Sequence, residues 1–197
     1  MKRPPGRRPV LLLIDFINAL EFEGADALLP RALAAAAATA ELRRRAKDAG
    51  VPVIYCNDNF GDWHASFADL VERCLARPVR GRRLAEILRP APDDYFVLKP
   101  RHSAFHSTSL DVLLERLEAD TLVLAGVSGD VCVLFTAHDA YMRGYRLYVP
   151  PDCVASEPDP DNRAALKHME KICKADLRPA AAIPFPAGGT ALAAGRP

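Results

Sequence analysis

Two kinds of apolar pattern alternate along the chain. The first is the short continuous run: "PVLLLIDF", "VPVIYCN", "DDYFVLKP", "TLVLAGV" and "YRLYVP". Runs of this length, rich in Val, Leu and Ile, predict strands buried on both faces of a parallel sheet. The second pattern repeats at helical spacing. From Ala25 to Gly50 the chain is built from Ala, Leu, Arg and Glu, good helix formers, with Gly50 as the stop. In "STSLDVLLERLEAD", Leu110, Leu113, Leu114 and Leu117 share a helical face, and Thr108 with Asp111 resembles a capping box. "VCVLFTAHDAYMRG", closed by Gly144, and "DPDNRAALKHMEKICK" predict two further helices. The less regular stretch from Asp58 to Pro90 predicts one or two short helices, and "AAIPF" a short sixth strand.

Strands alternating with helices imply right-handed crossovers and a mostly parallel six-stranded sheet covered on both faces. The expected fold class is therefore α/β, a Rossmann-like three-layer α/β/α arrangement. One domain is expected over residues 9–186, with the Pro- and Gly-rich ends, 1–8 and 187–197, loose. In such folds ligands bind beyond the carboxyl ends of the strands, where strand order reverses. Asp15 follows the first predicted strand, Lys99 ends the third, and Cys132 comes just after the fourth. The topology thus carries three chemically able side chains toward one place.

Composition narrows the partners. Lys and Arg number 26 against 25 Asp and Glu, so there is no general pull toward nucleic acid or an anionic membrane. A small-molecule substrate is the default partner. No apolar run approaches the roughly 20 residues of a membrane span, and "MKRPPGRRP" lacks the apolar segment of a signal peptide. A cytoplasmic protein is expected. The five cysteines, at 56, 74, 132, 153 and 173, form neither a C-x-x-C pair nor a zinc-like cluster, so reduced thiols are expected.

Cys132 has two readings. Free cysteine is among the most buried residue types, which makes a core thiol the plain alternative. At a helix start, however, its sulfur faces unpaired N–H groups and the positive end of the dipole, which predicts a depressed pKa. Val131, Leu134, Phe135 and His138 share one helical face, whereas Cys132, Thr136 and Asp139 lie on another. Asp15 alone reads equally as a capping carboxylate, and Lys99 alone as a solvated strand-end charge. Together they supply a base for the thiol and a cation for the thiolate. Cys56, Cys74, Cys153 and Cys173 are assigned to packing.

With those residues in view, "LLLIDFIN", "VLKPRHSAF" and "AGVSGDVCVLFTAHDAYMRGYRL" resemble the isochorismatase-like cysteine hydrolases, which include nicotinamidases, N-carbamoylsarcosine amidase and isochorismatase. The resemblance runs from about Pro9 to Ala181. It implies the isochorismatase-like hydrolase fold, three α/β/α layers around a six-stranded parallel sheet, with a homodimer or homotetramer and a catalytic triad at Asp15, Lys99 and Cys132. It also implies a cis peptide between Val127 and Ser128, which would aim the Ser128 N–H, beside that of Cys132, at an oxyanion. The implied activity is cleavage of an amide or carbamoyl-type C–N bond in a small molecule. Alternatives are an isochorismatase-type enol-ether hydrolase and a thiol-based redox sensor on the same scaffold. Phe16, Asn59, Trp63 and Phe105 are expected to line the substrate pocket.

The motifs also depart from the family pattern. Ile17 stands where the family often has a glutamine. Nicotinamidases carry an Asp-x-His metal motif after the second strand, where this chain reads "NDNFGDWH". With Asp58 in the metal position, Phe60 replaces the first histidine; a shifted frame gives Asp62 and His64 instead. The first alignment is preferred because Asp58 directly ends the strand, and no metal or other cofactor is expected. His102 and His106 flank "SAF", where they either reach the substrate or are solvated.

Overall fold

The computed structural model describes residues 8–76 and 78–186. Strand β1 (Pro9–Ile14) is buried at all six positions because it lies in the middle of the sheet, between β2 (Val53–Asp58) and β4 (Thr121–Val127). β3 (Tyr95–Lys99) forms one edge, and its first residues, Tyr95 and Phe96, are accordingly exposed. Along the other side of β4 run β5 (Arg146–Tyr148), paired with its start, and β6 (Val154–Ala155), paired with its end. All of these pairings are parallel. The order β3-β2-β1-β4-β5 reverses between β1 and β4, so the switch point lies at their carboxyl ends.

The two-residue period of the strands sorts their side chains into two cores. Leu11, Leu13, Tyr55, Val123 and Ala125 pack under α1 (Ala25–Asp48), α2 (Phe67–Ala76) and α3 (Arg82–Ile87). Val10, Leu12, Ile14, Ile54, Cys56, Leu122 and Leu124 pack under α4 (Leu110–Arg116), α5 (Leu134–Met142) and α6 (Asp159–Cys173). The result is the expected three layers. Gly50 ends α1 as its sequence suggests: its φ of 69° is one that a Cβ would disfavour, and its N–H bonds Lys47 O at 2.9 Å.

Two local expectations are corrected. "AAIPF" forms no strand: Ala180–Ala182 is a single 3₁₀ turn tied to α1, with Arg45 donating to Ala180 O (2.7 Å) and Ile183 O (2.8 Å). Pro184 has no N–H to give a ladder, and the sixth strand is instead Val154–Ala155, too short to leave a pattern. The capping box also fails. Thr108 Oγ1 accepts from Leu110 N–H at 3.2 Å, but it donates to Ala104 O, while Asp111 turns away to pair with Arg143 at 2.9 Å.

Candidate active site

Asp15 directly follows β1, and its φ of 54° breaks the strand's in-out alternation. Its N–H still bonds Cys56 O at 3.1 Å, which holds it against the end of β2. Lys99 closes β3 in register with Asp58, and its backbone carbonyl accepts Asn59 N–H at 3.0 Å. Val97 and Lys99 point to the α4–α6 face, as do Cys56 and, by the same period, Asp58. Lys99 is fully buried, so its ammonium must be matched by polar partners inside the protein.

On the other side of the switch point, β4 ends in a cis peptide between Val127 and Ser128, and a wide turn of π type, Gly129–Val133, leads into α5. Glycine is demanded at 129. A Cβ there would lie 2.2 Å from Asn162 Oδ1 and 2.4 Å from Val154 Cγ1. The turn is therefore pressed onto α6 and β6, and polar bonds fix it: Asp130 N–H donates to Ser156 Oγ, which donates to Asn162 Oδ1, both at 3.0 Å. Farther along the helix, Thr136 donates to Cys132 O at 2.7 Å and accepts from Ala104 N–H at 3.0 Å. Asp139 accepts from Ser103 Oγ at 2.6 Å. The polar face shared by Cys132, Thr136 and Asp139 thus latches the helix that follows Cys132 to the loop after Lys99.

The three sequence-expected residues meet. Lys99 Nζ lies 2.8 Å from Asp15 Oδ2, 3.3 Å from Asp58 Oδ2 and 3.7 Å from Cys132 Sγ, one partner for each ammonium proton. Asp15 Oδ1 accepts Asp58 N–H at 2.7 Å. Asp58 is the residue that sequence reasoning undervalued. The sequence presents it only as a candidate metal ligand, yet its N–H bonds Asp15 and its carboxylate shares Lys99. The signal was available in the parallel register, which places the end of β2 between Asp15 and Lys99.

Electrostatics correct one expectation outright. Burial, followed by the Asp15 carboxylate, pushes the Cys132 thiol up to about 12, although Lys99 pulls the other way. The thiol is therefore protonated at rest. The expectation from the helix dipole leaves out the burial of the thiol, which is the largest cause of the upward shift. Burial raises the Asp15 carboxyl above its ordinary range against the opposing pull of Lys99. For Lys99 burial works against the charge, but Asp15, Cys132 and Asp58 outweigh it and hold the ammonium above its usual value.

The other expected residues scatter. Phe16 is completely buried among the side chains of the α1–α3 core, so it offers no surface to a substrate. Phe105 is likewise core: it packs against Tyr145, with Arg143 4.5 Å above its ring. Both stand next to a motif, where an aromatic residue looks available, and both are packed into a core instead. Asn59 is buried and spends its side-chain oxygen on Gly61 N–H at 3.0 Å. Trp63, 77 % exposed, stands free on the same loop. Asp62 is taken up by Arg73 (3.0 Å) and by the backbone of His64 and Ala65, and both Asp58 oxygens are engaged, one by Lys99 and one by Phe60 N–H at 2.7 Å. Among the described residues no group of three or more His, Cys, Asp or Glu converges as a metal site. His102 and His106 are exposed, the former against Phe135 with ring centroids 5.4 Å apart. Cys56, Cys74, Cys153 and Cys173 are buried, and Cys132 alone of the five has surface access.

Comparison with known proteins agrees with this architecture. The isochorismatase domain matches residues 9–178. The isochorismatase family protein YaaI of Bacillus subtilis is 37% identical over 167 residues, 85% of this chain and 91% of that one. Maleamate amidohydrolase of Pseudomonas putida is 33% identical over 167 residues, covering 82% of this chain and 78% of the enzyme. The crystal structure of N-carbamoylsarcosine amidase from Thermoplasma acidophilum superposes with a TM-score of 0.70 at 28% identity, over 89% of this chain and 98% of that one. By sequence and by fold, then, the chain belongs to the isochorismatase family.

Proposed function

We propose that this protein is a cysteine hydrolase that cleaves an amide or carbamoyl-type C–N bond in a small molecule, through a thioester on Cys132 and without a metal. One observation carries the reading: the buried Lys99 ammonium lies 2.8 Å from Asp15 Oδ2 and 3.7 Å from Cys132 Sγ, joining carboxylate and thiol in one site. Two relatives are named for such reactions, maleamate amidohydrolase and N-carbamoylsarcosine amidase.

In the proposed mechanism the carbonyl carbon of the substrate approaches Cys132, and the thiol passes its proton to Asp15 as sulfur attacks. Lys99 remains charged throughout and shifts its pairing from Asp15 toward the thiolate, so no charge is stranded in the buried site. The Ser128 and Cys132 N–H groups, on either side of the turn that begins after Val127, receive the oxyanion. Collapse of the tetrahedral species breaks the C–N bond, and protonated Asp15 gives its proton to the departing nitrogen. A raised carboxyl suits both halves of this exchange. Water, deprotonated by Asp15, then attacks the thioester and releases the acid with the thiol restored. Asp58 is a positioning residue that holds Asp15 through its N–H and Lys99 through its carboxylate.

The residues near the site favour the metal-free route, because Asp58 and Asp62 are already committed to cations and backbone donors. A homodimer or homotetramer belongs to the same proposal and is read by light scattering. No described helix is long and apolar enough to cross a membrane. The deciding experiment is a mass-spectrometric screen of primary amides, carbamoyl compounds and lactams, with Cys132→Ala as the blank and a chelator in a parallel arm. Turnover that the alanine variant retains would overturn the nucleophile. Turnover lost to the chelator and restored by zinc, manganese or iron would overturn the metal-free route.

A further inference from the structure

His138 on α5 and His168 on α6 play no part in the chemistry above, yet their Nε2 atoms face each other at 3.0 Å, with ring centroids 5.0 Å apart. His168 is exposed and His138 half-buried, so water and ions can reach the pair from the His168 side. In the metal-free protein one ring donates its Nε2 proton to the other, so one of the two is held in the less useful tautomer. The spacing also suits another occupant. A borderline divalent ion binds imidazole nitrogen at roughly 2.0–2.1 Å, and bond angles between a right angle and the tetrahedral value then separate two such nitrogens by about 2.9–3.4 Å.

We propose that His138 and His168 form a surface site for a first-row divalent cation of the zinc, nickel or copper type, clipping α5 to α6. The ion takes the place of the shared proton: both Nε2 lone pairs coordinate, the displaced proton moves through solvent to Nδ1 of the same ring, and water completes the shell. Charge and protons balance without any further reactant. Imidazole ligands select this class of ion over magnesium or calcium, which prefer oxygen.

The position gives the site a purpose that a random surface pair lacks. α5 carries the turn that holds Cys132, and α6 supports the same turn through Asn162 and Ser156. A clip farther along the two helices therefore fastens one of the interfaces that hold the turn bearing Cys132. Bound ion would stabilise the native state by mass action, without entering the reaction.

The test uses the full chain, untagged, in the Cys132→Ala background so that no active-site thiol can compete. Zinc chloride and nickel chloride are titrated calorimetrically, and Tm is followed by scanning fluorimetry against metal concentration. The expected result is one ion per chain and a Tm that climbs with the logarithm of free metal. His138→Ala and His168→Ala should each weaken binding by more than about tenfold and abolish the climb, whereas His64→Ala should change neither. Magnesium should not substitute. Absence of stoichiometric binding in the parent, or binding unchanged in His168→Ala, would overturn the proposal. His168→Gln guards against a folding artefact: it keeps a polar side chain on α6 and should leave the metal-free Tm near that of the parent while losing the metal response.

Discussion

Replacing Lys99 by Met removes the cation and keeps much of the side chain's volume. What remains is a buried Asp15 carboxylate beside Asp58, with no positive charge between them. At 2.8 Å and an effective dielectric constant of 20, the lost attraction to Asp15 is about 6 kcal/mol, and that to Asp58 at 3.3 Å about 5 kcal/mol. The two are not additive, and the lysine no longer pays to leave water. Removal of one partner from a buried pair costs about 3–5 kcal/mol in practice, and that is the expected destabilisation at pH 8. The loss should depend on pH. Without Lys99 the folded-state pKa of Asp15 rises further above its unfolded value, so the native state binds the extra proton. Stability therefore falls as pH rises between the unfolded and folded pKa values, and recovers on acidification, by about 1.4 kcal/mol for each unit between them. Urea unfolding at pH 5 and pH 8, for wild type and Lys99→Met, measures this directly. The double variant with Asp15→Asn should regain stability at pH 8 without regaining turnover. Equal stability of Lys99→Met and wild type at pH 8, or a loss independent of pH, would refute the view that Lys99 neutralises the buried Asp15 carboxylate.

Because burial and Asp15 push the Cys132 thiol up to about 12, kcat/KM should show no thiol ionisation near the usual value of about 8.5. Its acid limb, set by Asp15, should lie above the ordinary carboxylate range, with activity lost as pH falls through it. Iodoacetamide at neutral pH should label Cys132 before the four buried cysteines because it alone is accessible, and peptide mapping reads the order. Gly129→Ala should destabilise the fold by about 1–3 kcal/mol in urea titration, since its Cβ would collide with Asn162 and Val154. Thr136→Val leaves the buried Ala104 N–H without its acceptor and should cost about 1–3 kcal/mol, with kcat falling more than KM changes.

The strands and the helices around them were legible because full burial on both faces leaves an unmistakable pattern: β1, β2 and β4 are continuous apolar runs. Elements shaped by single contacts left none. β6 is two residues long, and residues 180–182 take their form from Arg45, which is 135 positions away from Ala180 in the chain. The meeting of Asp15, Lys99 and Cys132 followed from topology alone, since each stands at the carboxyl end of a strand near the switch point. The direction of the thiol's pKa shift did not follow, because it depends first on burial and then on the charge of Asp15, neither of which is written in the local sequence. Phe16 and Phe105 failed for a related reason: proximity in sequence to a motif does not say on which side of the sheet a ring will pack.

The pairing of β1 with β4 has a consequence for how the protein comes to life during synthesis. Leu12 and Leu124 sit side by side in the sheet but leave the ribosome more than a hundred residues apart. Until that pairing closes, Asp15 and Cys132 belong to separate stretches of nascent chain, and the proposed site is not assembled. Long-range parallel contacts of this kind form late, after loop closure has been paid for by other contacts. Helix content can therefore be complete while the chemistry is still absent, and recovered turnover in a refolding experiment should time the closing of the central sheet.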